Sequence, residues 1–313
     1  MKLVITGALG HIGSRLIRSL RPADAREVLL VDDLSTGSRG ALSDLPAGIR
    51  WRFVEADVAA PGAGLAALFA GAHAVIHLAA VTNAEASFDD AGRVERVNFG
   101  GTEQVARACA AAGCRLLFPS TTSVYGSASA VVDESCPAEE LRPQSPYAES
   151  KLRAERLLAQ LGRSVGLRYF CGRLGTVYGA SEGMRFRTAV NRFIWQACHD
   201  EPLTVWRTAL DQRRPYLDLG DAVAAMLFVV RADLFDGGLY NVVTDNLTVR
   251  QVVEAVRRRV PGLRVELVDR RVMNQLSYAV DRARFEAAGF RFRGDLDRAI
   301  ADTVGLLSSR QPA

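Results

Sequence analysis

The segment TGALGHIG, residues 6–13, decides the fold prediction for this chain. It follows the apolar run KLVIT (2–6) and opens an amphipathic stretch at 11–21. In such a turn one glycine permits the tight bend, one lets the backbone approach a pyrophosphate, and one lets helix and strand pack closely. The helix N-terminus offers unpaired N–H groups to the phosphates. The segment therefore predicts a dinucleotide site; a glycine turn without a ligand is the alternative.

The second apolar run, EVLLVDD (27–33), ends in Asp32. At this position a carboxylate can accept hydrogen bonds from both hydroxyls of an adenosine ribose. The same negative charge repels a 2′-phosphate, so we expect NAD rather than NADP. Arg39 lies downstream and could soften that preference.

Three more apolar runs follow, RWRFVEADV (50–58), AVIHLAA (74–80) and RLLFPST (115–121), with an amphipathic stretch at 91–112. Short strands separated by helices predict parallel pairing through right-handed crossovers. We therefore expect an α/β fold with a doubly wound, Rossmann-type parallel sheet.

Beyond about residue 180 the regular alternation breaks down. Helices are expected over 185–200 and 218–231, and GLYNVVT (238–244) is expected to return to the main sheet. We predict an NAD-binding domain of residues 1–175 plus roughly 211–260. A smaller α/β substrate-binding lobe is predicted from roughly 176–210 plus 261–313.

Composition restricts the class of protein without identifying it. The 313 residues are 49% hydrophobic and 24% charged, with a net charge of +4. No apolar run approaches the roughly 18 to 20 residues of a membrane span, and no export leader is recognisable. Five cysteines without metal-ligand spacing favour reduced thiols. We expect a cytoplasmic protein with no bound metal, membrane or nucleic acid.

Tyr147 and Lys151, in PYAESK, are four residues apart and so share one face of a helix. A tyrosine of ordinary pKa, about 10, is a poor base at neutral pH. A nearby ammonium and a cationic nicotinamide favour phenolate, and we expect them to lower the pKa of Tyr147. Thr121 ends the fifth apolar run, where parallel sheets bind ligands, and its hydroxyl can hydrogen-bond the reacting oxygen. The alternatives are an exposed Tyr–Lys pair and a Ser/Thr-rich turn.

The motifs TGALGHIG, DDLSTGS, ADV, HLAA, STTSVYG, PYAESK and TVYGAS occur in this order. Together they resemble the extended short-chain dehydrogenase/reductase family of nucleotide-sugar epimerases and dehydratases, which includes the UDP-glucose 4-epimerases. The resemblance covers nearly the whole chain and implies Thr121, Tyr147 and Lys151 as catalytic residues. It implies a homodimer paired through helices at 91–112 and 147–162. The expected cofactor-binding residues are Gly7, Gly10, His11, Ile12, Gly13, Asp32, Asp33, Leu34, Ser35, Thr36, Gly37, Asp57, Val58, Leu78, Ala79, Ala80, Thr82, Asn98, Tyr147 and Lys151.

Dehydratases of this family carry an Asp-Glu pair directly after the catalytic threonine, and its decarboxylases commonly carry a glutamate at the second of these positions. Here the two residues are Thr122 and Ser123, neither of which titrates usefully. Epimerisation needs no extra acid, since one Tyr–Lys pair serves both oxidation and return of the hydride. We therefore expect epimerisation of a nucleotide-diphosphate sugar, and the resemblance to the UDP-glucose 4-epimerases implies C4 as the inverted carbon. A dehydratase, decarboxylase or reductase remains open, as does a non-catalytic NAD-binding regulator.

The second half is expected to bind the nucleotide diphosphate, for which the planar fork of arginine is well suited. Arg214 and Arg271 resemble phosphate-contacting arginines of the family, and a surface salt bridge is the alternative for each. Arg185, with Arg187 and Arg192, lies in a segment that shapes the sugar pocket; these arginines meet a sugar carboxylate or form a basic helix face. The expected substrate-binding residues are Thr121, Thr122, Tyr147, Thr176, Arg185, Arg214 and Arg271.

Overall fold

A computed structural model describes residues 1–126, 130–269 and 277–309. Its strands are β1 (Lys2–Thr6), β2 (Glu27–Asp32), β3 (Arg50–Glu55), β4 (Ala74–His77), β5 (Arg115–Thr121), β6 (Val131–Val132), β7 (Tyr169–Leu174), β8 (Thr176–Tyr178), β9 (Leu203–Trp206), β10 (Arg213–Asp218), β11 (Leu239–Val242), β12 (Asp245–Thr248), β13 (Val265–Val268) and β14 (Ala279–Val280). Its α-helices are α1 (His11–Ser19), α2 (Leu65–Phe69), α3 (Ala91–Val94), α4 (Gly101–Ala112), α5 (Pro146–Val165), α6 (Ala189–Cys198), α7 (Leu219–Arg231), α8 (Val249–Arg259), α9 (Ala283–Ala287) and α10 (Leu296–Ser308).

Seven strands form the central sheet in the order β11-β7-β5-β4-β1-β2-β3, and all neighbours are parallel. The central strands are buried on both faces because helices cover both sides, which explains their continuous apolar runs. Thr6 at the end of β1 pairs with Val31 and His77 in the neighbouring strands. The predicted doubly wound parallel sheet is confirmed.

The helical stretch predicted at 91–112 is interrupted by a π-helical segment, Glu95–Gly100, between α3 and α4. Wider turns of this kind are rare and often occur at functional sites. Here the wide turn contains the buried Asn98, whose side-chain oxygen accepts a hydrogen bond from Val81 N at 2.8 Å. The turn therefore brings α4 against the loop after β4.

The smaller lobe surrounds a separate apolar cluster between α6, α8 and α10. A mixed sheet, β12-β10-β8, and a parallel pair, β13-β9, belong to this part of the molecule. Helix α8, within the predicted NAD-binding domain, packs on α6 and α10 because its apolar face buries Val252 and Val256 in that cluster. The domain boundaries otherwise remain predictions.

The helix predicted over 185–200 begins only at Ala189, so the earlier part of that prediction is wrong. Residues 180–188 instead run irregularly across the first helix. Gly183 lies so close to Gly10 that a Cβ added to it would lie 2.6 Å from the Gly10 carbonyl carbon. This close backbone contact, with no helical periodicity behind it, explains the irregular conformation. Within the described residues, no helix combines the length and apolar character required to cross a membrane.

Candidate active site

A cavity of about 480 Å³ opens where the carboxyl ends of β1, β4, β5 and β7 face the smaller lobe. Ligands of open parallel sheets bind at this edge. The expected site residues that line the cavity are Gly7, Gly10, His11, Ile12, Gly13, Leu78, Ala80, Thr82, Thr121, Thr122, Tyr147, Lys151, Thr176, Arg185 and Arg214. The remaining described ones are not among the lining residues, namely Asp32, Asp33, Leu34, Ser35, Thr36, Gly37, Asp57, Val58, Ala79 and Asn98.

The glycine turn has the geometry that its sequence predicts. Gly7 has a φ of +65°, and a Cβ added there would lie 2.4 Å from the backbone nitrogen of Ala79. A Cβ on Gly13 would lie 2.5 Å from the Gly7 carbonyl oxygen, so this glycine permits close packing of helix on strand. No side chain caps the N-terminus of α1 at Gly10. The turn and the open helix end therefore fit a dinucleotide pyrophosphate.

Asp32 is buried beneath this turn. Its carboxylate accepts hydrogen bonds from the backbone nitrogens of Leu9 and Leu34, each at 2.9 Å. Leu34 adopts a left-handed backbone with φ of 58°, which turns the chain into the exposed loop of Asp33, Ser35 and Thr36. The carboxylate is thus held at the end of β2, where the ribose role predicted for it requires it.

The predicted adenine contacts, Asp57 and Val58, are not among the residues that line the cavity. The Asp57 carboxylate forms an ion pair with Arg96 at 2.8 Å. Burial raises the pKa of Asp57, but the hydrogen bond from Arg96 and that from the Ala59 backbone outweigh it, so the pKa lies below its ordinary value. Val58 is 3% exposed and packs in the apolar cluster beneath the sheet. The Val58 side chain is therefore part of the core, whereas the Asp57 carboxylate is partly exposed.

Helix α5 brings Tyr147 and Lys151 to the cavity wall. Ser145 caps the helix by accepting a hydrogen bond from Ala148 N at 3.2 Å, and Pro146 occupies its first turn, where a proline is tolerated. The Thr121 hydroxyl at the end of β5 is hydrogen-bonded to the Tyr147 phenol. The Lys151 ammonium donates to the Pro119 carbonyl at 2.8 Å. The structure therefore brings the three predicted catalytic residues together.

Burial shifts the pKa of two of these groups. Burial raises the pKa of Tyr147 to about 12, and the hydrogen bond from Thr121 acts in the opposite direction. Burial lowers the pKa of Lys151 to about 8, against an opposing effect of Cys171 and Glu155. The predicted lowering of the tyrosine pKa combines the Lys151 ammonium with a cationic nicotinamide. Burial is the largest influence among the protein's own groups, and the lowering by ammonium and nicotinamide together stays a prediction.

A buried polar cluster that was not predicted from the sequence contacts the strands of the catalytic residues. Glu155 lies one turn after Lys151 on α5, and its carboxylate accepts a hydrogen bond from Ser120 Oγ. It also accepts hydrogen bonds from Arg173 Nε at 3.0 Å and from Arg173 Nη2 at 2.7 Å. The Arg173 guanidinium stacks 4.6 Å from the ring centre of Tyr125. The only sequence signal for Glu155 was its position four residues after Lys151, which continues the four-residue spacing of Tyr147 and Lys151 along one face of the helix. The cluster joins α5, β5 and β7.

Ser87 was also missed, and it lies against Tyr147. It is buried, and its Oγ lies 3.4 Å from the Tyr147 backbone nitrogen, from which it accepts a hydrogen bond. By contrast His77, at the end of β4, is a packed strand residue. Its ring nitrogens contact Thr6 Oγ1 at 2.7 Å and Thr102 Oγ1 at 3.1 Å, and burial lowers its pKa to about 3.

The expected substrate residues separate into groups. Thr122 is buried and donates its hydroxyl hydrogen to the Leu174 carbonyl at 3.2 Å, so its side chain serves the fold. Thr176 and Arg214 line the cavity, and burial lowers the pKa of Arg214. Arg185 donates hydrogen bonds to the hydroxyls of Thr36 and Thr82, which are both predicted cofactor-binding residues. Arg271 lies outside the described residues.

A family model described as "NAD dependent epimerase/dehydratase family" matches residues 3–242. The chain belongs to this family of enzymes. The predicted resemblance is thereby confirmed, and the NAD-dependence of the epimerase/dehydratase family agrees with the predicted cofactor. Among the described residues, no group of three or more metal-binding side chains occurs.

Relatives within the epimerase/dehydratase family catalyse different reactions. An uncharacterized UDP-glucose epimerase, YtcB of Bacillus subtilis, is 29% identical over 237 residues, 74% of this chain and 72% of that protein. The dTDP-glucose 4,6-dehydratase DesIV of Streptomyces venezuelae, solved with NAD bound, has a TM-score of 0.88 and 27% identity over 99% of this chain and 98% of its own. The NAD complex of Thermus thermophilus UDP-glucose 4-epimerase has a TM-score of 0.83 and 28% identity, over 99% and 100%.

Proposed function

We propose that this chain epimerises a nucleotide-diphosphate sugar at C4 through a transient keto sugar. The observation that carries the proposal is the arrangement of Thr121, Tyr147 and Lys151 beside a glycine turn built for a dinucleotide. When bound, NAD would accept a hydride from the sugar and, in its reduced form, would return it. The proposal includes Tyr147 as the acid/base, Thr121 as the hydroxyl that orients the reacting oxygen, and Lys151 as the residue that holds the nicotinamide ribose.

In this reaction Tyr147 acts as phenolate, the form that a cationic nicotinamide nearby would favour. The phenolate accepts the proton of the C4 hydroxyl while hydride passes from the same carbon to the cofactor. The Thr121 hydroxyl stabilises the phenolate, because its hydrogen bond lowers the pKa of Tyr147. The keto sugar then rotates in the cavity, so that its opposite face meets the cofactor. Tyr147 returns the proton to the sugar oxygen as hydride returns to that opposite face of the carbonyl carbon. No net redox change occurs, so one bound cofactor serves every turnover.

Epimerisation is favoured over loss of water by the neutral residues after Thr121. The Thr122 hydroxyl is bound to Leu174, and Ser123 N donates to Thr121 Oγ1 at 3.1 Å, so neither position presents an acid to the sugar. Glu85 contributes the single carboxylate among the described lining residues. A dehydratase is the second candidate, and it would need Glu85 as its acid or base.

The proposal extends to assembly and location. We expect a cytoplasmic homodimer in which the 91–112 stretch and α5 of each subunit pair with those of the other. The expectation rests on the family resemblance and on the packing of α5 against the π-helical segment. Light scattering of the purified protein tests the dimer directly.

The deciding experiment incubates purified protein and NAD with UDP-, GDP-, dTDP- and CDP-sugars and analyses products by mass spectrometry and NMR. We expect a product of unchanged mass with one inverted carbon, absent with Tyr147→Phe. A product lighter by water, lost in Glu85→Gln, would instead establish the dehydratase. Loss of carbon dioxide or gain of hydrogen would also overturn the proposal. NAD binding without turnover on any sugar would support a regulator.

A further inference from the structure

The irregular segment 180–188, here called the strap, lies directly on the glycine turn. Ser181 Oγ is 2.8 Å from His11 Nδ1, and Gly183 N donates to Ser14 Oγ at 3.0 Å. Gly183 itself touches the backbone of Gly10, where no side chain would fit. The smaller lobe therefore covers the start of α1 with backbone and one long side chain.

That side chain is Arg185, which spans the groove above the turn. Its Nη1 donates to Thr82 Oγ1 at 2.9 Å, in the loop after β4, and its Nη2 donates to Thr36 Oγ1 at 2.8 Å, in the loop after β2. The same Nη2 lies 3.8 Å from the Cβ position of Gly10. The guanidinium thus faces the N-terminus of α1 from the opposite side of the groove.

The charge of Arg185 lacks a direct counter-ion in the described part of the chain. Its hydrogen-bond partners there are two neutral hydroxyls, and no carboxylate forms an ion pair with it. Asp32 acts on it only electrostatically, while burial and Arg187 lower its pKa. A half-buried cation held by neutral groups is stabilised when an anion binds between its donors.

We propose that Arg185 is a cofactor-binding residue whose guanidinium holds the pyrophosphate of the dinucleotide against the N-terminus of α1. The inference rests on the use of NAD in the proposed function. A planar guanidinium with two donors matches two phosphate oxygens, and the open helix end supplies backbone N–H groups on the other side. The competing ligand is a carboxylate of an acidic sugar, as the sequence analysis suggested.

Position favours the cofactor. Thr36 and Thr82 belong to the loops after β2 and β4, which flank the glycine turn, whereas Thr121 and Tyr147 lie at the end of β5 and on α5. Arg187, two residues along the same strap, is exposed at the cavity and offers a matched control of equal charge. The two arginines therefore separate a local contact from the general positive charge of the strap.

The test titrates cofactor-free protein with NAD and with ADP-ribose by calorimetry, in the absence of any sugar. The variants are Arg185→Met, Arg185→Lys and Arg187→Met, each first compared with wild type by thermal unfolding. We expect Arg185→Met to weaken both ligands at least tenfold, Arg185→Lys to weaken them less, and Arg187→Met to change them less than twofold. Added salt should weaken binding to Arg185→Met less than binding to wild type, since a charge contact is gone.

Wild-type affinity for both ligands in Arg185→Met would overturn the inference. Equal losses in Arg185→Met and Arg187→Met would also overturn it, by pointing to general charge. A separate titration with UDP-glucuronic acid and UDP-glucose tests the competing ligand. A selective loss of UDP-glucuronic acid affinity in Arg185→Met, with NAD binding intact, would also overturn the inference. Because these titrations contain no sugar turnover, a failure of the epimerase reaction is seen separately and leaves the affinity comparison intact.

Discussion

The ammonium of Lys151 donates a hydrogen bond to the carbonyl oxygen of Pro119, 2.8 Å away. This contact joins helix α5 to the end of strand β5, two residues before Thr121. The ammonium also lies 4.5 Å from the ring centre of Phe118, and Lys151 is 4% exposed. The carbonyl and the aromatic face therefore hold a buried cation at a fixed distance from the tyrosine on the same helix.

Lys151→Met should reveal the cost of burying this charge. Because burial lowers the pKa of Lys151 to about 8 from an ordinary 10.5, the folded protein binds fewer protons than the unfolded chain between those values. Wild-type stability should therefore gain about 1.4 kcal/mol per pH unit from this group as pH rises through that window. Urea unfolding at pH 7, 8, 9 and 10 measures it. In the variant this contribution should be absent, so a constant difference between the two proteins would contradict the assignment.

Thr121→Val should shift the pH dependence of turnover. The Thr121 hydrogen bond lowers the pKa of Tyr147, against the burial that raises it to about 12. Without that bond the phenolate is harder to form, so we expect kcat to fall by about 10²-fold, in the range of a lost acid–base contribution. The rising limb of the kcat–pH profile should move to higher pH. Thr122→Val is the matched control, since that hydroxyl bonds Leu174. An unmoved profile in Thr121→Val would exclude the role.

Glu155→Gln should destabilise the fold through Arg173. The guanidinium and carboxylate are 3% and 10% exposed, and removing one charge leaves the other buried and unpaired. A loss of about 3 kcal/mol in the free energy of unfolding is expected. The double variant Glu155→Gln/Arg173→Met should recover part of it. Chemical denaturation of the four proteins gives the coupling, and strictly additive losses would show that the pair does not act as a unit.

Asp32→Asn should change cofactor preference. The carboxylate accepts hydrogen bonds from Leu9 N and Leu34 N and repels a 2′-phosphate in the same region. Asparagine keeps one oxygen acceptor and loses the charge, so NAD should bind about tenfold more weakly and NADP more tightly than to wild type. Titration with both dinucleotides measures the ratio of their Kd values. An unchanged ratio would place the source of discrimination elsewhere, with Arg39 as the next residue to test.

The sequence by itself determined the features whose causes are local. The turn after β1 could be recognised because its glycines are needed within eight consecutive residues, and Asp32 because it ends the next strand. The Tyr147–Lys151 spacing specified one helix face without reference to the rest of the chain. The alternation of runs determined the parallel sheet, since short crossovers leave few topologies.

Only the tertiary structure decided which distant residues surround these features. Arg185 meets Thr36 across 149 positions of the chain, and Glu155 meets Ser120 and Arg173 across 35 and 18. The strap has no periodicity that reveals where it lies, because its conformation is set by the backbone contact between Gly183 and Gly10. The pKa of Tyr147 likewise depends on burial by the assembled lobes, which spacing along a helix does not describe.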